Sequence, residues 1–195
     1  EIKEYAPVDE VIGELKDFLK KNPNIDYLTF SGFGEPTLYS KIDEVIGFLK
    51  KNYPDKKVAL LTNSSLLVDD LVQQKILECD LIVPSVDAVS QDIFEKIDRP
   101  IKGVKVKDII DGLIKFRKKY RGQMWLEIFI IEGINDGIEE FKEFKEVISL
   151  IKPDKLHINS LARAGAESWV KRAGEKRICK ICGFLEGLDA NSGTN

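Results

Sequence analysis

An α/β fold built on a parallel sheet, with its helices outside and its strands curling toward an open barrel, is what this sequence predicts. Three observations carry it. Short apolar runs alternate with segments of helical period along the whole chain. No hairpin signal separates one apolar run from the next, so successive strands are joined by helices and lie parallel, wound right-handed. The runs are apolar at nearly every position, as in sheets covered on both faces. The count is five strands behind a leading helix, whereas a βα unit begins with its strand. One missing first strand would complete six units.

The elements follow in order. Val8, Val11, Ile12, Leu15, Phe18 and Leu19 recur at helical spacing, with Asp9 and Glu10 in the first turn where the helix dipole favours acids. That helix stops at Asn22-Pro23-Asn24, and residues 25–31 form the first strand. Ile42, Val45, Ile46, Phe48 and Leu49 mark a second helix, ended by Asn52-Tyr53-Pro54. Residues 58–63 are a strand, 66–77 a helix, and 81–87 a strand in which Pro84 belongs at the end or at a bulge. A short helical turn over 93–97 leads through Asp98-Arg99-Pro100 and a basic loop to a helix over 106–120. Residues 125–131 are a strand, 133–137 a turn, 141–151 a helix and 155–159 the last strand. A terminal helix is expected from about residue 167 to 185, with Gly174 a possible break.

The chain has 195 residues, 43% hydrophobic and 32% charged, which suits one core and one domain. Its 30 basic and 33 acidic residues leave a formal charge of -3, so overall electrostatics do not call for nucleic acid and exclude no local patch. No apolar run is long enough to span a bilayer and no signal segment opens the chain, which points to the cytoplasm. Three cysteines, an odd number, argue against a disulfide framework.

The stretch with the most chemistry is residues 26–38, a strand running into Gly32-Phe33-Gly34-Glu35-Pro36. Glycines there supply unusual backbone angles or close approach, and Pro36 removes a donor. The turn should therefore present carbonyl oxygens and one carboxylate, a surface for an ammonium group. An ordinary strand-to-helix turn is the competing reading. In parallel barrels the loops after the strands open on one face, and here every strand ends in polar residues or a glycine turn: Thr62-Asn63-Ser64, Ser85-Val86-Asp87, 132–135 and Asn159-Ser160. Together they suit a polar ligand across the top of the sheet. Glu127 interrupts an apolar run, so it either points into the barrel with a partner or lies on an edge strand in water.

Other residues admit two readings each. Arg99 binds an anion or holds its loop. His157, the only histidine, is a general base or ligand, or a hydrogen-bonded strand residue. Cys179 and Cys182 have ligand spacing but lack the partners of a closed zinc site, and on a helix they read instead as small buried side chains. Cys79 reads as core at a helix end. No Walker loop, zinc-protease motif or complete dinucleotide fingerprint is present.

Residues 32–38, Gly-Phe-Gly-Glu-Pro-Thr-Leu, resemble the GGEP region of radical SAM enzymes, and the match runs on through Thr62-Asn63, Ser85-Val86-Asp87-Ala88, Asp98-Arg99-Pro100, Glu127 and Gly133-Ile134-Asn135-Asp136. The chain looks most similar to a little-characterised group related to the tRNA wyosine-base synthases. The resemblance implies a partial (βα)6 TIM-like barrel, a single core domain over 1–195 lacking its first strand, S-adenosylmethionine, and a 4Fe-4S cluster on a CxxxCxxC loop. Such enzymes generate a 5′-deoxyadenosyl radical that abstracts hydrogen. Carried over, Gly34, Glu35 and Pro36 receive the methionine amino group; Asn63, Ser85 and Asp87 contact ribose or carboxylate; Asn159 lies near the adenine; and Glu127 is an interior contact. An electron donor such as ferredoxin or flavodoxin is implied, with a tRNA or a protein as substrate.

Two departures stand out. The CxxxCxxC cysteines are absent and expected upstream of Glu1, since Cys179 and Cys182 have the wrong spacing at the wrong end. The segment after the last strand, Asn159-Ser160-Leu161-Ala162-Arg163-Ala164-Gly165, keeps only the Asn, a hydroxyl and the Arg of the family pattern. Two alternatives follow: a non-catalytic barrel that binds S-adenosylmethionine or a nucleotide, and an activase for a glycyl-radical enzyme.

Overall fold

The computed structural model describes residues 1–32, 34–162 and 167–186. Its order is α1 (Val8–Lys21), β1 (Tyr27–Phe30), a 3-10 turn (Pro36–Leu38), α2 (Ile42–Asn52), β2 (Lys57–Thr62), α3 (Asp70–Lys75), β3 (Leu81–Pro84), α4 (Gln91–Ile97), α5 (Val106–Lys119), β4 (Gln123–Ile130), α6 (Ile138–Ile151), β5 (Lys155–Ser160) and α7 (Glu175–Glu186). The five strands form one sheet in the order β1-β2-β3-β4-β5, and every pair is parallel. The expected α/β class is therefore what the chain adopts.

Strand alternation sorts the two faces of the sheet. Leu28, Val58, Leu60, Ile82, Met124, Leu126, Ile128 and Ile130 are buried under the helices. They meet the apolar stripes of α2 (Ile42, Val45, Ile46, Leu49), α5 (Ile109, Leu113, Phe116) and α6 (Phe141, Phe144, Ile148, Ile151). The opposite, inner face has a small apolar floor of Ala59, Leu81 and Val83 packed with Tyr27 and Trp125. Above that floor it turns polar, and this gradient positions the site.

Local differences have local causes. The helix expected over 66–77 is α3 alone. Asp69 caps it by accepting from the Leu71 N–H at 2.8 Å, which keeps the preceding residues in turns. The terminal helix begins after Gly174 rather than near residue 167, and residues 163–166 lie outside the described residues. Pro84 ends β3, paired with Thr62, so its missing N–H costs no ladder bond beyond that point. β4 is not an edge strand: it lies between β3 and β5, which removes the solvated reading of Glu127.

One edge of β1 has no partner strand among the described residues. Beside it lies a cavity of about 680 Å³, walled by Val11, Leu15 and Phe18 of α1 and by Leu28 and Phe30 of β1. The N-terminal segment enters at the strand-end face, where the Lys3 N–H donates to Leu38 O and the Ser40 N–H donates to Lys3 O, both at 3.0 Å.

Candidate active site

The glycine turn after β1 forms as its composition requires. Gly32 has φ of 151°, a conformation L side chains rarely adopt, and a Cβ on Gly32 or Gly34 would meet nothing within 4 Å. The space above the turn is open to an approaching group. Phe33 lies outside the described residues. Pro36 occupies the first position of the 3-10 turn, with Glu35 as its cap.

Glu35 is half-buried and strongly engaged. Its Oε1 accepts from Thr37 N at 3.2 Å, Thr37 Oγ1 at 2.6 Å and Thr62 Oγ1 at 2.7 Å, and its Oε2 accepts from Asn63 N at 2.7 Å. The carboxylate thus ties the turn after β1 to the end of β2. A carboxylate oxygen offers about two acceptor directions, so Oε2 keeps one for a further donor while Oε1 is filled. Glu35 is thus the cap of the turn, with one acceptor direction of Oε2 unused.

A second cavity, about 230 Å³, lies between this turn and the inner face and brings together Gly34, Glu35, Pro36, Asn63, Ser85 and Glu127, with Leu61 and Val83 as apolar wall. The glycine turn lines both cavities. Glu127 sits at the centre of the inner face, accepting from Ser85 Oγ at 3.4 Å and from Asn159 Nδ2 at 3.0 Å. Asn159 reaches the site through that bond rather than by lining the cavity. Asn63 folds its Oδ1 back onto Ser65 N and Oγ, at 3.0 and 2.6 Å, in an Asx turn.

Asp87 stands apart. Its Oδ1 accepts from the Phe129 N–H at 2.8 Å, bracing the end of β3 against β4, and it does not line the cavity. Burial pushes its carboxyl up to about 7, opposed by the Phe129 bond and reinforced by the charges of Asp98 and Glu127. Asp98 is open to solvent on one side, yet desolvation by the surrounding loops raises it to about 6.

Several supporting residues were not among the predicted site residues, although Asn135, Thr37 and Thr62 lie in the motif stretches. Asn135, fully buried, accepts from Ile131 N at 2.7 Å and donates to Asp87 O at 2.8 Å and Phe129 O at 2.7 Å, locking the loops after β3 and β4 together. Glu140, in the first turn of α6, is another. It is 6% exposed and accepts from Val89 N, Ser90 N and Ser90 Oγ. Thr37 and Thr62, both buried, are the hydroxyls that hold Glu35.

Arg99 pairs with Glu167 at 2.9 Å and lies 5.7 Å over the Trp169 ring, so it ties the loop after α4 to the segment after β5. His157 is half-buried on the inner face with its ring 5.0 Å from that of Trp125. Cys79 is core, as expected, and burial pushes its thiol up to about 12. Cys179 is exposed and Cys182 half-buried on α7, so the expectation that both are buried hydrophobes is corrected.

The residues fit one of the two implied groups. A spare carboxylate oxygen, open space over two glycines and a polar cleft with an apolar wall suit an amino-acid head group and a nucleoside, the parts of S-adenosylmethionine. They do not fit an iron-sulfur cluster. Among the described residues no three Cys, His, Asp or Glu side chains are grouped to hold a metal, and Cys79 is buried in the core.

Comparison with known proteins gives the site its context. The profile of the radical SAM superfamily matches residues 2–147. A protein of Brachyspira hyodysenteriae named GTPase Obg is 37% identical over 93% of this chain, which covers 27% of that protein. A UPF0026 protein of Methanocaldococcus jannaschii is 33% identical over 94% of this chain, which covers 55% of it. The chain thus spans about half or less of these relatives. Among solved structures, a radical SAM methyltransferase from Sphaerobacter thermophilus superposes over 93% of this chain and 54% of its own with a TM-score of 0.67 at 14% identity, a likeness of fold.

Proposed function

This chain belongs to the radical SAM superfamily, and on that premise we propose that it is the S-adenosylmethionine-binding core of a radical SAM enzyme acting by hydrogen abstraction. The observation that carries the reading is Glu35. It is fixed in place by Thr37, Thr62 and Asn63, with Oε2 left able to accept one more donor at the open glycine turn.

In this reading Glu35 Oε2 and the carbonyls of the turn take the ammonium of the methionine moiety. A fixed carboxylate does this better than a mobile one, because its ordering cost is met by folding and not by binding. Asn63 and Ser85 face the same cleft and serve the carboxylate or ribose. Glu127, held by Ser85 and Asn159, faces the cavity from the inner wall. Asp87 acts as a brace between the loops rather than as a direct contact. S-adenosylmethionine, when bound and reductively cleaved, supplies the 5′-deoxyadenosyl group that takes hydrogen from the substrate.

The described residues group no three ligands for the cluster that such cleavage needs. The unpaired edge of β1 and the 680 Å³ apolar cavity beside it suit one further parallel strand. We infer that the full-length protein supplies that strand, with the cluster cysteines on the loop that follows it, and that an electron donor such as ferredoxin or flavodoxin serves it. The test is anaerobic reconstitution of the full-length protein with iron and sulfide, followed by assay of 5′-deoxyadenosine. Product formed in proportion to bound cluster supports the reading, and S-adenosylmethionine binding without iron or cleavage would leave only a binding barrel.

A further inference from the structure

Charge is unbalanced in the cavity of the candidate site. Glu35 and Glu127 line it, and among the described residues that wall it none is Lys, Arg or His. Neither carboxylate has an ion-pair partner among the described residues. Glu35 is held by Thr37, Thr62 and the Asn63 N–H, and Glu127 by Ser85 Oγ and Asn159 Nδ2, all neutral donors. Lys57 and Lys155 of the inner face stand at the opposite ends of β2 and β5, over the rings of Tyr27 and Trp125 at 5.6 and 4.5 Å. His157 is beside Glu127 in the β4–β5 register but packs its ring on Trp125. A further carboxyl close by is Asp87, whose pKa the Glu127 charge helps to raise, so the surroundings add acid rather than base.

Two carboxylates and no cation suit a ligand with two positive charges. S-adenosylmethionine has two, on its ammonium and its sulfonium. It differs from S-adenosylhomocysteine only by the S-methyl group and the charge that group leaves on sulfur. With the ammonium on Glu35, one positive charge of the ligand and one carboxylate of the cavity remain.

Glu127 is fixed as a counter-charge must be. Its strand lies between β3 and β5, the Val86 N–H donates to its carbonyl at 3.0 Å, and its two carboxylate oxygens are held from opposite neighbouring strands. Leu61, 41% exposed, and Val83 form the apolar wall of the same cavity. A sulfonium carries its charge among three carbon substituents, so an apolar wall and one carboxylate serve it without hydrogen-bond donors or acceptors of its own. Neutral donors leave the carboxylate its full charge, and a partly enclosed cleft screens that charge less than open water does.

We propose that Glu127 is a specificity residue of this site, the counter-charge to the ligand's sulfonium, through which the chain selects S-adenosylmethionine over its neutral thioether and over anionic nucleotides. The inference rests on the S-adenosylmethionine reading and adds a residue that enforces it.

The experiment is calorimetry on the full-length protein without reductant. The ligands are S-adenosylmethionine, S-adenosylhomocysteine, ATP, and sinefungin, in which an amine-bearing carbon replaces the sulfonium. The amino-acid and adenosine parts are common to all but ATP, so affinity ratios report the charge. The wild type should bind S-adenosylmethionine and sinefungin about tenfold or more tighter than S-adenosylhomocysteine, the effect an opposite charge ~4–6 Å away has on an ionic equilibrium. ATP should not bind. Glu127→Gln still accepts from Ser85 while Asn159 turns its amide, and it should bring the three adenosyl affinities together. Glu132→Gln, an exposed acid past the end of β4 and outside the cavity lining, should leave the wild-type ratios unchanged. Raising salt from about 0.05 to about 0.5 M should narrow the wild-type ratio, a readout that needs no substitution. Equal wild-type affinity for S-adenosylmethionine and S-adenosylhomocysteine, a salt-independent ratio, a ratio that persists in Glu127→Gln, an equal change in Glu132→Gln, or ATP binding in the cavity would overturn the proposal and leave the proposed function standing. Failure of every adenosyl ligand to bind would overturn both.

Discussion

Glu35→Ala is the perturbation whose consequences the geometry sets most tightly. It deletes four hydrogen bonds, from Thr37 N, Thr37 Oγ1, Thr62 Oγ1 and Asn63 N, and leaves two buried threonine hydroxyls to find other partners. At about 0.5–1 kcal/mol net for each bond in this half-buried setting, the loss is about 2–4 kcal/mol. For a chain of this size, about 3 kcal/mol lowers the Tm by roughly 6–12 °C. Glu35→Gln should lose only about 1–2 kcal/mol, since its amide oxygen still serves the threonines while its NH2 faces the Asn63 N–H. Urea denaturation of both variants gives the stabilities, and calorimetry with S-adenosylmethionine gives the binding. Removal of the ammonium acceptor should weaken binding in both. An alanine variant within about 0.5 kcal/mol of wild type would refute the brace, and unchanged affinity in both variants would refute the ligand role.

Three further outcomes follow from the packing. Asp87 titrates near 3.8 when unfolded and near 7 when folded, so between those values the native state binds more protons; the stability it contributes is full below about pH 4 and lost as pH rises through 7. The total is at most about 4 kcal/mol, trimmed by partial exposure, and Asp87→Asn should flatten the stability-pH curve from 4 to 7; an unchanged slope would show that the carboxyl is not the group responsible. Gly112→Ala places a Cβ 2.6 Å from Leu67 O and 2.9 Å from Leu67 C, backbone atoms that cannot swing aside, so stability should fall by about 1–3 kcal/mol despite the better helix former. A higher melting temperature for that variant would contradict the close approach. Asn135→Ala should cost about 3 kcal/mol and speed amide exchange at Ile131, whose N–H loses its acceptor; protection unchanged there would mean the loop is held by something else.

Period and punctuation in the sequence were enough for the strand-helix alternation, for the parallel order, for the placing of Gly34, Glu35, Asn63 and Ser85 near strand ends, and for Glu127 as an acid inside an apolar strand. Those features are local: a β-branched run, a glycine where the chain must turn, a proline where a helix stops. Side-chain direction and the partner at the far end of a hydrogen bond are not local. Asp87 and Asn159 sit at strand ends like the others, yet one braces a backbone amide and the other reaches the site through Glu127, because register decides which atoms meet. Glu140 and Asn135 sit among surface-like residues, and only tertiary packing makes them buried acceptors. Arg99 was legible as a loop cation, but its contacts with Glu167 and Trp169 join segments some seventy residues apart. Sequence alone determined the fold class and the glycine turn with its carboxylate, because backbone conformation and apolar period are properties of neighbours in the chain. Tertiary structure alone decided that Glu35 is both brace and reserve acceptor, and that Arg99 meets Glu167 and Trp169, because those are properties of residues brought together by the sheet.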